Sequence, residues 1–253
     1  MANYIDRREP YSRHYTGPKP SGETGKTFEI DYLYSTREGQ ELGVAHNTQN
    51  VPQNLQFREA LKYCIGESPY RYAPEHVSDP QSRDMNALHL GVCKGLDCND
   101  EDVKVFPSIQ TPADKRGIDF FIIYTDPKTM KDFLVTADLT MYGKDSFAAD
   151  ILVTPTGCAA NPQHYKELLK EGDHIGWITM RDKGDPREDS RIRDERAMGT
   201  GKVIANIIKE KMRAAKTDNP HPNDAHRIFG SERAEIRRLL EGIIPPHSES
   251  SQS

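Results

Sequence analysis

Apolar residues recur at helical spacing in several parts of the chain. Between residues 55 and 65, the apolar side chains at 57, 60, 61, 64 and 65 match the i, i+3, i+4, i+7, i+8 spacing of one helix face. Gly66 follows this stripe and is a typical helix stop. Similar stripes predict helices at 163–170, around 204–212 and around 236–244.

Strands are predicted where apolar residues alternate or form short runs. The stretches 117–124 and 133–142 flank a turn that contains Asp126 and Pro127, and they predict a β-hairpin over 117–142. Further strands are expected at 27–34, 149–154 and 174–180, whereas the polar stretch 66–115 is expected to be irregular. This order predicts an α/β (α+β) fold with a central mixed sheet flanked by helices and a helical C-terminal part.

The same pattern divides the chain into regions. Residues 1–26 are rich in glycine and proline and have almost no aliphatic side chains, which predicts a flexible arm. The core domain is expected at 27–180. A charged segment and C-terminal helices that pack on the core follow at 181–244, and the segment is expected to be mobile as far as residue 200. The polar tail 245–253 is expected to be disordered.

The hairpin carries the most informative polar residues. A four-residue loop at 127–130 pairs Phe120 with Ala137, and every other cross-strand pair on that face is also apolar, as a buried face requires. The same register sets Asp119 directly opposite Asp138, with Thr140 two residues further along. Opposed Cβ atoms lie about 4.5–5.5 Å apart, so the two carboxylates repel each other unless a cation lies between them. The register therefore predicts a divalent-cation site, and the alternative is that both aspartates face water.

The composition is that of a polar, mildly acidic chain. Of 253 residues 35% are hydrophobic, and 34 Lys and Arg against 39 Asp and Glu give a net charge of −5. No run approaches the roughly 20 apolar residues of a membrane span, and the first residues contain no apolar signal segment. We therefore expect a soluble, cytoplasmic protein without a membrane partner.

Four cysteines are too few for a disulfide framework. Cys64 lies on the apolar stripe of the first predicted helix and is expected in the core. Cys93 and Cys98 are separated by four residues, and no second Cys/His pair at zinc-finger spacing accompanies them. We therefore expect reduced structural thiols rather than a zinc site.

Two other stretches bear on phosphate binding. The sequence SGETGKT at 21–27 has Pro20 where the phosphate-loop pattern requires glycine, and no buried strand precedes it, so we exclude this motif. Residues 181–216 hold eleven Lys and Arg against seven Asp and Glu. Such a segment binds DNA or RNA through counterion release, or it forms the solvated face of a helix, which the interspersed acids favour.

The runs GIDFF at 117–121 and FLVTADLT at 133–140 resemble the PD-(D/E)XK nuclease-like superfamily, over roughly residues 55–180. The resemblance implies a helix, a hairpin, a second helix and a further strand. It also implies that Asp119 and Asp138 ligate Mg²⁺ (or Mn²⁺), and that Glu59 is the acidic residue from the first helix. Thr140 occupies the position of the family's lysine, for which Lys144 is the nearest substitute.

Two functions follow from these residues. The first is Mg²⁺-dependent, endonuclease-like hydrolysis of phosphodiester bonds in nucleic acid, for which the acidic pair argues. The second is a non-catalytic scaffold of the same fold that binds a protein or nucleic acid in a mobile element, virus or effector system. Thr140 argues for the second function.

Overall fold

The structure is a computed structural model that describes residues 25–34, 55–68, 70, 76–109, 111–140, 148–154, 157–160 and 186–216. Its four α-helices are α1 (Gly25–Leu33), α2 (Phe57–Gly66), α3 (Arg83–Leu96) and α4 (Pro186–Ala214). Its five strands are β1 (Val103–Pro107), β2 (Phe120–Thr125), β3 (Asp132–Leu139), β4 (Ile151–Thr154) and β5 (Gly157–Ala159). Short 3₁₀ helices at Asp100–Asp102 and Asp114–Arg116 flank β1.

The five strands form one mixed sheet in the order β1-β2-β3-β4-β5. All neighbours are antiparallel except β3 and β4, which are parallel. All eight residues of β3 and the first five of β2 are buried, which is typical of a sheet that is covered on both faces. The predicted α/β fold with a central mixed sheet is therefore confirmed.

The β2–β3 hairpin has the predicted register. Phe120 pairs with Ala137 and Tyr124 with Phe133. At the turn the Asp126 carboxylate accepts hydrogen bonds from the Lys128 backbone N–H (3.0 Å) and the Thr129 hydroxyl (2.6 Å). Hydrogen bonds from an aspartate side chain to its own turn stabilise the conformation of the loop, and the length of the loop determines the register of the two strands.

Helices α3 and α4 pack together with their backbones in close contact. Gly91 on α3 and Gly201 on α4 lie at the crossing, where side chains would not fit. A Cβ built on Gly91 would lie 2.3 Å from the carbonyl oxygen of Met198. Beside the crossing, Arg193 binds the buried carboxylate of Asp84 through two nitrogens, Nε at 2.8 Å and Nη2. The two helices together extend across the sheet, because α3 contacts β1 while α4 contacts β3 and β5.

Helix α1 replaces a predicted strand. The stretch 27–34 was expected to be extended, but Gly25–Leu33 is helical and buries Phe28, Tyr32 and Leu33. The Tyr32 ring stacks on Phe120 of β2, with ring centroids 6.4 Å apart. Positions 28, 32 and 33 follow helical spacing, and contact with the sheet overrides the β-propensity of a short aromatic-rich run.

Two other expectations are also wrong. The stretch 66–115 contains α3 and β1 rather than irregular chain, and residues 186–200 belong to α4 rather than to a mobile charged segment. The predicted helix at 55–65 is confirmed as α2, and the stripe at 204–212 lies within α4. The elements predicted at 163–170, 174–180 and 236–244 lie outside the described residues, as do residues 1–24 of the arm and the tail 245–253.

Candidate functional site

Asp119 lies at the end of the hairpin, immediately before β2. The regular pairing stops at Phe120 and Ala137, and the Asp119 backbone N–H donates to the Ala137 carbonyl (2.9 Å). Its carboxylate Oδ2 accepts the backbone N–H of Leu139 at 2.6 Å. Asp119 therefore departs from the predicted position directly opposite Asp138, and its side chain serves as an acceptor for the last residue of β3.

Asp138 is buried near the C-terminal end of β3, above the turn that leads into β2. Its Oδ2 lies 3.7 Å from the point where a Cβ on Gly117 would be. Gly117 has φ +73°, a left-handed conformation that favours glycine. This turn directly follows the 3₁₀ helix Asp114–Arg116.

Four carboxylates form what we call the acidic group: Glu29, Asp114, Asp119 and Asp138. Burial raises the pKa of Asp119 well above its ordinary range, and the negative charges of Glu29, Asp138 and Asp114, in that order, raise it further. The hydrogen bond from Leu139 acts in the opposite direction. Helix α1, the 3₁₀ helix after β1 and strand β3 thus each contribute a like charge that acts on buried Asp119.

Glu29 is the residue that the sequence did not reveal. It lies on α1, for which a strand was predicted, and that prediction gave no reason to expect an acidic residue near the end of the hairpin. The acid predicted from the first helix was Glu59. The structure places Glu59 on the exposed surface of α2, where its Oε2 accepts the Gln56 backbone N–H (3.1 Å) in a capping box. Glu59 is therefore occupied as a helix cap and is not among the charges that act on Asp119.

Thr140 follows β3 directly and is buried. Its backbone N–H donates to the Val153 carbonyl of β4 at 2.9 Å, so it extends the parallel pairing of β3 and β4. Its short hydroxyl side chain cannot supply the positive charge of a lysine at this position. Lys144, the predicted substitute, lies outside the described residues.

The acidic group offers carboxylate oxygens only, which are the ligands that Mg²⁺ and Mn²⁺ prefer. Its oxygens are less tightly gathered than those of a preformed metal centre. Among the described residues, ligand atoms from three or more side chains lie within 4.8 Å of one another at one place, and that place is not the acidic group. A cation at the acidic group would offset the repulsion among carboxylates that burial intensifies.

The basic segment 181–216 is largely the helix α4, and several of its cations have acidic partners. Arg193 binds the Asp84 carboxylate, and Arg191 forms an exposed pair with Glu195 at 2.7 Å. Lys211 contacts the buried Asp150 carboxylate at 3.0 Å. The Arg193 and Lys211 pairs tie α4 to α3 and to the sheet, and all three pairs reduce the charge that this segment offers to a nucleic acid.

No protein-family model matches the chain, and no curated protein or solved structure is similar enough to be matched to it. Any inference about function therefore depends on the residues and the geometry described above. None of the described helices is both long and apolar enough to cross a membrane.

Proposed function

We propose that the protein binds Mg²⁺ or Mn²⁺ at the acidic group and hydrolyses phosphodiester bonds in nucleic acid. The observation that carries this proposal is that two buried carboxylates, Asp119 and Asp138, lie at the same end of the hairpin, where the charges of Glu29 on α1 and Asp114 after β1 also act on Asp119. Burying like charges together is costly, and a bound divalent cation is the usual compensation. Buried titratable groups whose pKa values are strongly perturbed are also more frequent at functional sites.

Each side chain has a defined part in this proposal. Asp119 and Asp138 would hold the cation, and Glu29 would supply a further carboxylate from α1. When bound, the cation lowers the pKa of its water and stabilises the charge that develops on the phosphate. The Leu139 N–H would keep the Asp119 carboxylate oriented toward the hairpin end, because it binds one of the two oxygens at 2.6 Å. Lys144 is the proposed source of the positive charge that Thr140 does not provide.

A non-catalytic scaffold is the second candidate, and three observations favour it. Thr140 replaces the lysine of the nuclease-like motif and is buried. The Asp119 carboxylate already has a structural partner at the end of β3. Three cations of α4, Arg191, Arg193 and Lys211, pair with acids of the same chain. In that case the acidic group contributes to the fold alone, and the protein acts by binding a protein or nucleic-acid partner.

Cation binding is tested by thermal unfolding of the purified protein with and without Mg²⁺ or Mn²⁺. A ligand that binds only the folded state at about 100 times its Kd adds roughly 2.7 kcal/mol of stability. For a domain of this size that corresponds to a rise in Tm of about 5–10 °C. We expect Asp138→Asn and Glu29→Gln to reduce the rise strongly. The matched control is Glu59→Gln, which should retain it because Glu59 only caps α2.

Catalysis is tested separately, with single- and double-stranded DNA and RNA as substrates. We expect cleavage that requires Mg²⁺ or Mn²⁺ and is lost in Asp119→Asn and Asp138→Asn but not in Glu59→Gln. A metal-dependent Tm shift without cleavage would support a cation-binding scaffold. If neither metal raises the Tm of the wild type and neither supports cleavage of any of these substrates, the proposed function is wrong.

A further inference from the structure

Four side chains with metal-binding chemistry converge where α3 ends and β1 begins: His89, Cys93, Cys98 and Asp100. One ligand atom from each of His89, Cys93 and Asp100 lies within 4.8 Å of the others. Within the described residues this is the only set of three or more that is so close. The Cys98 sulfur is not within 4.8 Å of all three, but Cys98 lies beside Cys93: its backbone N–H donates to the Cys93 carbonyl at 3.2 Å, and its thiol interacts with that of Cys93.

Local backbone structure accounts for this convergence. His89 and Cys93 are four residues apart on α3, so they lie on one face of the helix. Asp97 follows the helix in a left-handed conformation (φ 57°), and the Cys98 N–H then donates to the Cys93 carbonyl at 3.2 Å. This turn folds Cys98 back over Cys93. Asp100 begins the next 3₁₀ helix, Asp100–Asp102, and is exposed.

The orientation of His89 is that of a metal ligand. Its Nε2 lies 3.1 Å from the Val103 carbonyl oxygen, which can only accept, so Nε2 carries the proton. The lone pair of Nδ1 then faces the Cys93 sulfur, 3.8 Å away. Metal-bound histidines almost always donate their second ring nitrogen to a carbonyl or carboxylate in this way.

We propose that His89, Cys93, Cys98 and Asp100 bind one Zn²⁺ ion. Two thiolates, an imidazole nitrogen and a carboxylate oxygen are ligands that zinc accepts in tetrahedral sites. With Zn–S and Zn–N distances of about 2.3 and 2.0 Å, a sulfur and a nitrogen ligand lie roughly 3.5 Å apart, close to the distance seen between Cys93 and His89. Sulfur ligands disfavour Mg²⁺, so this site differs in chemistry from the acidic group.

The site would be a structural one. Its four proposed ligands come from α3, the turn after it and the following 3₁₀ helix, and with Cys98 turned toward the other three they would fill the tetrahedral positions of a closed centre. His89 also joins the site to the first residue of β1 through Val103. Zinc would thus fasten the end of α3 to the edge of the sheet, and it would stabilise the folded state by mass action.

The competing explanation is a thiol pair without metal. The interaction between the two thiols lowers the pKa of Cys98 and, with burial, raises that of Cys93. None of the four cysteines forms a disulfide in the structure. Both explanations involve the same pair of thiols, and a metal-loading experiment separates them.

The test uses the full chain, purified with a thiol-free reductant and loaded with Zn²⁺ or Co²⁺. We expect one zinc per chain after desalting, and a Co²⁺ complex with the intense absorption of thiolate charge transfer. Cys98→Ser should weaken zinc binding by more than about tenfold and reduce that absorption, since even outer-shell changes cost 10–100-fold. Asp100→Asn changes an exposed side chain without touching the core and should also weaken binding.

The matched control is Cys158→Ser, a half-buried cysteine on β5 outside the cluster, which should bind zinc like the wild type. The proposal is overturned if the wild type retains no zinc and shows no thiolate absorption with Co²⁺. It is equally overturned if Cys98→Ser and Asp100→Asn both bind zinc with unchanged affinity in a chelator competition.

Discussion

Substituting glycine at the α3–α4 crossing should destabilise the protein, although alanine is the better helix former. A Cβ on Gly201 would lie 2.1 Å from the Leu88 carbonyl oxygen and 2.8 Å from the Val92 nitrogen. Ordinary contacts to carbon are about 3.5–4.0 Å, so Gly201→Ala requires the helices to separate by more than about 1 Å. Both neighbours are backbone atoms, so no rotamer change relieves the clash.

The expected magnitude comes from two opposing terms. Gly→Ala inside a helix gains roughly 0.8–1.0 kcal/mol of intrinsic propensity. Overpacking a tight interface costs typically 1–3 kcal/mol and occasionally more, and a clash with backbone on both sides belongs at the upper end. We expect Gly201→Ala to lose about 2 kcal/mol net, which lowers the Tm by roughly 4–8 °C for a domain of this size.

Gly199 provides the control, two residues away on the same helix. A Cβ there would have no atom within 4 Å, so Gly199→Ala receives the propensity gain without the clash. Urea unfolding followed by far-UV circular dichroism should therefore order the proteins Gly199→Ala, wild type and Gly201→Ala, from most to least stable. Equal stability of the two variants would show that α3 and α4 do not approach each other as described.

Two further predictions concern buried carboxylates. The pKa of Asp119 in the folded state lies above its unfolded value of about 3.9, so its ionisation destabilises the protein as the pH rises from about 4 through the folded-state pKa. Metal-free Asp119→Asn should thus be more stable than wild type at neutral pH, and urea titrations should show the advantage vanish below about pH 4. Lys211→Met leaves the buried Asp150 carboxylate without its cation and should lower the free energy of unfolding by about 3 kcal/mol. Arg191→Gln, at an exposed pair, should change it by less than about 1 kcal/mol in the same assay.

The hairpin could be predicted from the sequence because two independent signals agree there. Alternation of apolar residues fixes which side chains pair, and the Asp126 turn fixes the loop length. The register is confirmed from Phe120 to Thr125. The predicted register is wrong at Asp119, because the Asp119 carboxylate accepts the Leu139 N–H in place of a backbone carbonyl. A pattern of apolar and polar residues does not indicate where a side chain replaces a backbone acceptor.

Helix α3 could not be predicted for a related reason. Gly91 and Gly95 lower the intrinsic helix propensity of this stretch, so the sequence alone indicates irregular chain. They favour this helix only because α4 approaches them so closely, and that approach is a tertiary contact. The proposed zinc ligands could not be found without the helix, because the i, i+4 spacing of His89 and Cys93 indicates a shared face only if the stretch is helical. Glu29 was missed in the same way on α1.

The two proposed metal sites lie near opposite ends of the same strand, β2, which makes their tests independent. Asp119 immediately precedes β2, whereas Val103, which accepts the His89 hydrogen bond, pairs with Tyr124 near the other end. Five residues of extended chain separate these positions, a distance of roughly 17 Å. Sites so far apart that share no ligand are expected to act additively on stability. Their ligands also select different ions, because carboxylates favour Mg²⁺ while thiolates and imidazole favour Zn²⁺. Loss of zinc in Cys98→Ser therefore leaves the Mg²⁺ response of the acidic group measurable, and a failure of either proposal does not decide the other.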